Sequence, residues 1–347
     1  MNPAKPAFAV GDRAIGPGHQ PYVIAEIGVN HDGDLALGSR LVRAAREAGA
    51  DAVKFQLFDA ELLMSADARF AAYQEKLDAP DPRAMLRALE LSTAAMGTLV
   101  AEAKSLGLHA IVTVFSEGLV EPAESMGASG YKSASPDIVH RPLLEAMART
   151  GRPLIVSTGA ASLEEVGRAA GWLAGRRVAF LQCVSSYPTP DEHANLGAMA
   201  MIGAATGAVV GYSDHTTSVD SGGLAVAAGA CILEKHLTYD RRAKGPDHAA
   251  SLDPGQFAEY VRLARRAFAM LGGGKAVAPI EEDVRRVSRQ SLVARRDLAA
   301  GSTIGAGDLT AKRPGTGIAP YRLAEILGRR LRAAVAADHV LRDEDLA

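Results

Sequence analysis

Only two cysteines occur in 347 residues, which excludes a secreted scaffold held together by disulfides. Cys183 and Cys231 both fall inside apolar, strand-like runs, so they read as buried free thiols suited to a reducing compartment. Charge of one sign is also missing. A formal net charge of −2 leaves no long-range field to draw in nucleic acid or an anionic membrane. The pairs Arg285-Arg286 and Arg329-Arg330 have carboxylates close by and read as solvated faces. No apolar run reaches membrane-spanning length, and Met1 to Ala14 lacks the apolar core of a signal peptide. These absences predict a soluble cytoplasmic protein without nucleic-acid or membrane partners. A phosphate loop is absent as well. Leu271-Gly-Gly-Gly-Lys275 lacks the hydroxyl residue after the lysine and the first glycine at its required distance, so it reads as a helix cap leading into a linker.

What is present is a regular alternation. Short apolar or β-branched runs occur at Tyr22–Ile27, Ala52–Gln56, His109–Phe115, Gly130–Ala134, Pro153–Ser157, Ala179–Val184, Val209–Ser213 and Cys231–His236. Helical patterns lie between or after them at Gly38–Ala48, Thr93–Ser105, Pro142–Thr150, Leu163–Leu173, Ser221–Ala228 and Pro254–Met270. Strands alternating with helices predict parallel βαβ units, and eight strands suffice to close a (β/α)₈ barrel. An open doubly wound sheet is the competing architecture. The barrel would occupy residues 1–271, followed by a linker at 272–290 and a small, turn-rich domain at 291–347. That last segment carries a weak internal echo, Asp297-Leu298 to Asp308-Leu309 against Asp338 to Leu346. It is too small to be stable without docking on something.

Chemistry in such a barrel gathers at the C-terminal strand ends. Those ends carry Glu26, Lys54 with Gln56, Thr113, Lys132 with Ser135, Ser157, Ser185, His215, and Glu234 with His236. A packing core would place Val, Ile and Leu there instead. His215 and His236 end neighbouring strands, whose axes lie about 5 Å apart, so their imidazoles can share one cation. Two nitrogen ligands and no thiolate favour an open octahedral ion over a closed structural zinc site. Glu234 shares the face of His236 and could hold the water shell or act as a base. Lys54 and Lys132 have no carboxylate beside them in sequence, so a substrate phosphate or carboxylate is their expected partner. Ser135, Ser157 and Thr113 would add hydroxyl donors. The alternatives for the lysines are a Schiff base or side chains that snorkel to solvent. Glu26 and Asp247 are further carboxylates at the mouth, suited to sugar hydroxyls. Tyr187 sits in a proline-stiffened loop, placed to line a sugar pocket.

Taken together, Ala25-Glu-Ile-Gly-Val-Asn-His31, Val53-Lys-Phe-Gln56, Tyr131-Lys-Ser-Ala-Ser135, Leu154-Ile-Val-Ser-Thr-Gly159, Tyr187-Pro-Thr-Pro190, Gly211-Tyr-Ser-Asp-His-Thr216, Leu233-Glu-Lys-His236 and Lys244-Gly-Pro-Asp-His248 resemble the N-acetylneuraminate (sialic acid) synthase family. Lys312-Arg-Pro-Gly-Thr-Gly317 looks like that family's C-terminal antifreeze-like (SAF) domain. The resemblance spans nearly the whole chain in order. It implies a (β/α)₈ barrel followed by a small, mostly-β clip domain, and a domain-swapped homodimer in which each small domain caps the partner's barrel. It also implies a divalent cation, often manganese, with magnesium or cobalt as alternatives. By position the metal ligands fall on His215 and His236, and the phosphoenolpyruvate contacts on Lys54, Thr113, Lys132, Ser135 and Ser157. Sugar contacts fall on Glu26, Tyr187, Asp247 and Arg313 of the partner subunit. Two departures stand out. Ser185 replaces an asparagine, and Ser135-Pro136-Asp137 replaces a Ser-Gly-acidic turn.

Residues and resemblance agree on an enzyme that joins phosphoenolpyruvate to N-acetylmannosamine, or a close acetamido sugar, with release of phosphate. Glu26, Glu234 and Asp247 are its candidate catalytic carboxylates. Rival readings are a legionaminic- or pseudaminic-type synthase, a synthase using N-acetylmannosamine 6-phosphate, an imine-forming aldolase, and a non-catalytic sugar- or ice-binding protein.

Overall fold

A computed structural model describes residues 8–70 and 80–347, which divide after Gly272 into two compact units. In the first, eight parallel strands close a barrel: β3 (Tyr22–Glu26), β4 (Ala52–Leu57), β5 (His109–Val114), β6 (Gly130–Ser133), β7 (Leu154–Ser157), β8 (Val178–Cys183), β9 (Val209–Asp214) and β10 (Ile232–His236), with β10 pairing back onto β3. All eight expected strands form, and the open sheet is excluded. Helix starts carry their expected caps. Asp34 accepts from the amides of Ala36 and Leu37, while Ser162 with Glu165 and Asp253 with Gln256 form reciprocal capping boxes.

Strand side chains alternate, so each barrel strand feeds two environments. Outward residues such as Val23, Val53, Phe55, Val112, Phe180 and Leu233 pack under the helices in one large core. Inward residues change character along the strand. Near the N-terminal ends they are Tyr22, Ile24, Ala52, Ile111, Ile155, Leu181 and Ile232, a second apolar core. Towards the C-terminal ends the inward row turns polar, with Glu26, Lys54, Thr113, Lys132, Ser157 and Glu234 all buried.

A hairpin not foreseen from sequence completes the lower core. Strands β1 (Phe8–Val10) and β2 (Arg13–Ile15) pair antiparallel about a turn at Gly11. Phe8, Val10 and Ile15 join the inward apolar cluster. Strands of three residues carry too little periodicity to recognise. The helix Ala198–Thr206 was also missed, because it is small and apolar throughout and shows no amphipathic stripe.

In the second unit, β11 (Ser291–Ala294) pairs antiparallel with β12 (Leu309–Lys312) around a core that includes Leu292, Ile304, Ile318, Ile326 and Leu341. The stretch 272–290, expected as a bare linker, contains the helix Glu282–Ser288 and groups with this unit from Gly273 onward. The amide of Gly315 bonds to the carbonyl of Arg286, and a side chain at Gly315 would strike Cβ of Arg289. Those contacts, invisible in sequence, convert the tether into part of the domain. No single helix among the described residues is long and apolar enough to cross a membrane.

The plug makes a stability prediction. Ile15 is fully buried, so Ile15→Ala should cost about 2–4 kcal/mol in denaturant unfolding. Ligand binding by the folded protein should not change, because the polar layer lies at the other end of the strands. A loss under about 1 kcal/mol would show that the hairpin is not part of the core.

Candidate active site

The register of the closed sheet assembles the site. Glu26 pairs with Lys54 on one side and His236 on the other. Gln56 faces Thr113, Thr113 faces Lys132, and Glu234 faces Ser213. Lys54, Gln56, Thr113, Lys132, Ser135, Ser157, Ser185, Tyr187, His215, Glu234, His236 and Asp247 line one cavity of about 480 Å³. Two further expected site residues are not among those lining it. Glu26 lies behind Lys54, fully buried, with Oε1 accepting from the amide of Gly28. Arg313 lies in the second unit, directly after β12.

The expectation that neither lysine has a neighbouring carboxylate is corrected by the fold. Lys54 Nζ is ion-paired with Glu26 and lies 3.0 Å from Glu234 Oε1. Lys132 Nζ is 4.0 Å from that same oxygen and donates to Ser157 Oγ at 2.5 Å and Ser133 O at 2.7 Å. Sequence neighbours could not reveal this, because the carboxylates arrive from β3 and β10. Burial would raise the Glu234 carboxyl, but Lys132 and Lys54 outweigh it and hold the pKa at about 2. Burial lowers Lys54 to about 8 even with Glu234 beside it. Near neutral pH the floor is therefore ionic and crowded, with cationic groups facing the cavity.

Several polar atoms here are buried without a hydrogen-bond partner among the described residues: Thr113 Oγ1, Glu234 Oε2 and His236 Nδ1. Buried groups of this kind are normally satisfied, so a cluster lining one cavity marks where a bound molecule supplies the missing partners. Ser135 Oγ accepts from the amide of Gly159. A Cβ at Gly159 would sit 2.4 Å from Ser185 Oγ and 2.8 Å from Ser135 Oγ. The substituted Ser185 thus faces Ser135 across a gap that only glycine leaves open. Pro136 begins a short 3₁₀ turn over Ser135–Val139, a position that needs no backbone donor.

The two imidazoles lie 5.5 Å apart between ring centroids, with Tyr187 packed 4.0 Å from His215. His215 Nδ1 is 2.7 Å from the carbonyl of Val184, so this nitrogen carries a proton. Burial would lower the His215 imidazole, but Cys183 beside it outweighs that and raises it above its ordinary value. Burial, reinforced by His215, pushes His236 well below its usual pKa and keeps it neutral. The two imidazoles are the nitrogen donors of this cavity that could hold a divalent cation, with most positions left open. Among the described residues no group of three or more His, Cys, Asp or Glu is gathered so as to hold a metal ion.

Sequence reading overlooked Ser213, Cys183 and an apolar wall. Ser213 Oγ donates to Glu234 Oε1 at 3.0 Å. Cys183 Sγ sits 3.7 Å from His215 Nδ1. Phe58, Leu63, Met64, Met85, Leu86 and Phe115 also line the cavity. Period two from Leu181 would have pointed Cys183 inward. All of the apolar residues but Phe115, which follows β5, come from the segment after β4, whose sequence bears no site-like pattern.

The comparisons with known proteins agree with this geometry. A model described as "NeuB family" matches residues 41–276. The chain belongs to the NeuB family. A SAF domain model matches residues 289–347 of this NeuB-family chain, the region that forms its second unit. N,N'-diacetyllegionaminic acid synthase of Legionella pneumophila is 41% identical over 92% of this chain and 93% of its own length. N-acetylneuraminate-9-phosphate synthase of Mus musculus is 32% identical over 96% of this chain and 95% of its own. The crystal structure of an N-acetylneuraminic acid (sialic acid) synthetase from Leptospira borgpetersenii, in complex with citrate, superposes with a TM-score of 0.74 at 31% identity, covering 81% of this chain and 95% of that one. The chain is thus a member of a family of sialic-acid-type synthases.

Asp247 supplies a test of the site's electrostatics. Burial raises its carboxyl from 3.8 to about 6. A group raised in the folded state favours folding at low pH, and that contribution is lost as pH climbs through about 6. Ionised Asp247 therefore costs the metal-free protein about 3 kcal/mol above that pH. Asp247→Asn should raise the melting temperature of metal-free protein at pH 8, and the gain should vanish near pH 4. An equal gain at both values would refute the assignment.

Proposed function

We propose that this chain condenses phosphoenolpyruvate with N-acetylmannosamine or a close acetamido sugar, consuming water and releasing phosphate and a nonulosonic acid. The observation carrying this reading is the cavity itself. Two buried ammonium groups, unpartnered hydroxyl and carboxylate oxygens, and two imidazoles converge on a space the size of a small sugar plus a three-carbon acid. A second reading, condensation with a diacetamido sugar, is favoured by the 41% identity to the Legionella diacetyllegionaminic acid synthase.

Lys54 and Lys132 hold the phosphate and carboxylate of phosphoenolpyruvate, with Thr113, Ser135 and Ser157 as hydroxyl partners and Gln56 and Ser185 at the margin. Preorganised cations of this kind stabilise charge without reorganising during the reaction. A divalent cation on His215 and His236, manganese first and magnesium or cobalt as alternatives, would supply Lewis acidity towards the sugar's aldehyde oxygen. Tyr187 orients the sugar beside that oxygen. The methylene carbon of phosphoenolpyruvate bonds to the aldehyde carbon, whose oxygen takes a proton. Asp247, whose carboxyl burial raises to about 6, provides it. Glu234, held ionised, accepts a proton from the water that adds to the phosphate-bearing carbon. Collapse of that carbon expels phosphate and leaves the 2-keto acid. Glu26 acts from behind, fixing Lys54 through their ion pair.

Incubating the protein with manganese, phosphoenolpyruvate and a panel of mono- and diacetamido sugars should release phosphate with one class of sugar only. Chelation should abolish the release and manganese should restore it. Lys54→Ala and Lys132→Ala should each reduce turnover about a hundredfold or more. Trapping of an enzyme–pyruvate imine by borohydride would replace this mechanism with a Schiff-base one.

The same proposal includes a homodimer in which Arg313 of the partner subunit reaches the sugar. Arginine's rigid fork suits a fixed contact to an acyl-amide oxygen. Arg313→Ala and Glu26→Ala chains should each be inactive alone and regain activity when mixed, since a mixed dimer has one intact site. Mixed dimers that form and remain inactive would exclude this role.

A further inference from the structure

Directly behind the two imidazoles lies an ion pair that the proposed chemistry does not use. Asp214 and Lys235 face each other across β9 and β10, one residue before His215 and His236 respectively. Their side chains point outward from the barrel, away from the cavity. That outward row is otherwise apolar or aromatic, as at Tyr212 and Leu233. Here Lys235 Nζ lies 3.1 Å from Asp214 Oδ1, and both side chains are 0% exposed.

Burying an ion pair gains little stability over well-packed apolar residues of the same size, so its value lies in direction. The directions here converge on one residue. Asp214 Oδ1 accepts from the amide of Thr216 at 2.8 Å, while Lys235 Nζ donates to the carbonyl of Thr216. That residue is Thr216, and His215 lies inside the turn that the Asp214–Thr216 contact closes. Asp214 Oδ2 accepts from Ser221 Oγ at 2.6 Å, tying the turn to the start of the helix Ser221–Ala227. On the other strand Lys235 is pinned over the ring of Tyr260, 5.7 Å from its centroid, in the helix Pro254–Leu271. The backbone of His236 is therefore tied to that of His215 by side chains on the far side of the wall.

We propose that Asp214 and Lys235 are positioning residues which set the spacing of His215 and His236 and thereby the affinity for a divalent cation. This inference rests on the reading of those histidines as cation ligands. A strand end in a barrel is free to splay once the ladder stops, and His215 lies one residue beyond β9. Beyond the β9–β10 ladder the ion pair adds its contacts on Thr216 to the bond from the Thr189 amide to the His215 carbonyl, and so holds the turn in one conformation. Apolar residues would pack there equally well but would not fix the carbonyl and amide of Thr216.

The test uses metal-free full-length protein and Mn²⁺ alone, titrated by calorimetry or by the loss of free-Mn²⁺ paramagnetic signal. Asp214→Asn and Lys235→Met should each weaken Mn²⁺ binding about tenfold or more, as expected for residues that orient metal ligands. Each single variant leaves one charge buried without its partner, so melting temperature should fall as well. The double variant Asp214→Asn/Lys235→Met removes both charges. It should recover melting temperature but not Mn²⁺ affinity, and it carries the test if a single variant fails to fold. If affinity returns together with stability, or never falls in folded variants, the pair serves folding alone and the inference is overturned while the proposed reaction stands. If the unaltered protein binds no Mn²⁺, Mg²⁺ or Co²⁺, the histidine reading itself fails, and this inference with it.

Discussion

The ion network of Lys54, Lys132, Glu26 and Glu234 is the constraint around which the upper half of the barrel is built. A closed barrel has a sealed interior, and every inward side chain must be satisfied by another or by a ligand. In the lower half, apolar inward residues and the hairpin plug meet that demand by packing. In the upper half the two lysines and two glutamates meet it by pairing with one another. Removing any one of them would strand a charge, so the lysines and glutamates are fixed as a set.

That arrangement also explains why the site is polar yet unfinished. Glu234 Oε1 is shared between Lys54 and Ser213, while Oε2 is left without a partner. Thr113 and His236 are in the same condition. The network is satisfied enough to be rigid and leaves donors and acceptors aimed at one cavity, as preorganised electrostatics requires. The apolar side chains that also line the cavity leave it part ionic and part apolar.

Much of this was legible in the chain. The eight strands appear where β-branched and apolar runs alternate with helical patterns, and each polar strand end predicted for the site lines the cavity except Glu26. Short or featureless segments were not legible. The three-residue strands of the hairpin lack a period, and the helix Ala198–Thr206 lacks a polar face. Residues 272–290 show glycines and charges but no sign of the contacts that gather them into the second unit.

What the sequence determined by itself was local: which segments are strands, which residue ends each strand, and which of those residues can carry charge or bind a cation. Period-two alternation and strand count suffice for that, because they depend only on neighbours along the chain. Which groups meet was decided by tertiary structure alone. The placement of Glu26 and Glu234 against Lys54, of Asp214 against Lys235 behind the two histidines, and of Gly159 beneath Ser135 and Ser185 follows from the register of a closed sheet. Register joins residues as distant in the chain as Glu26 and His236, and through them brings Glu234 to Lys54. It is set by how the whole barrel closes, which no local stretch of sequence contains.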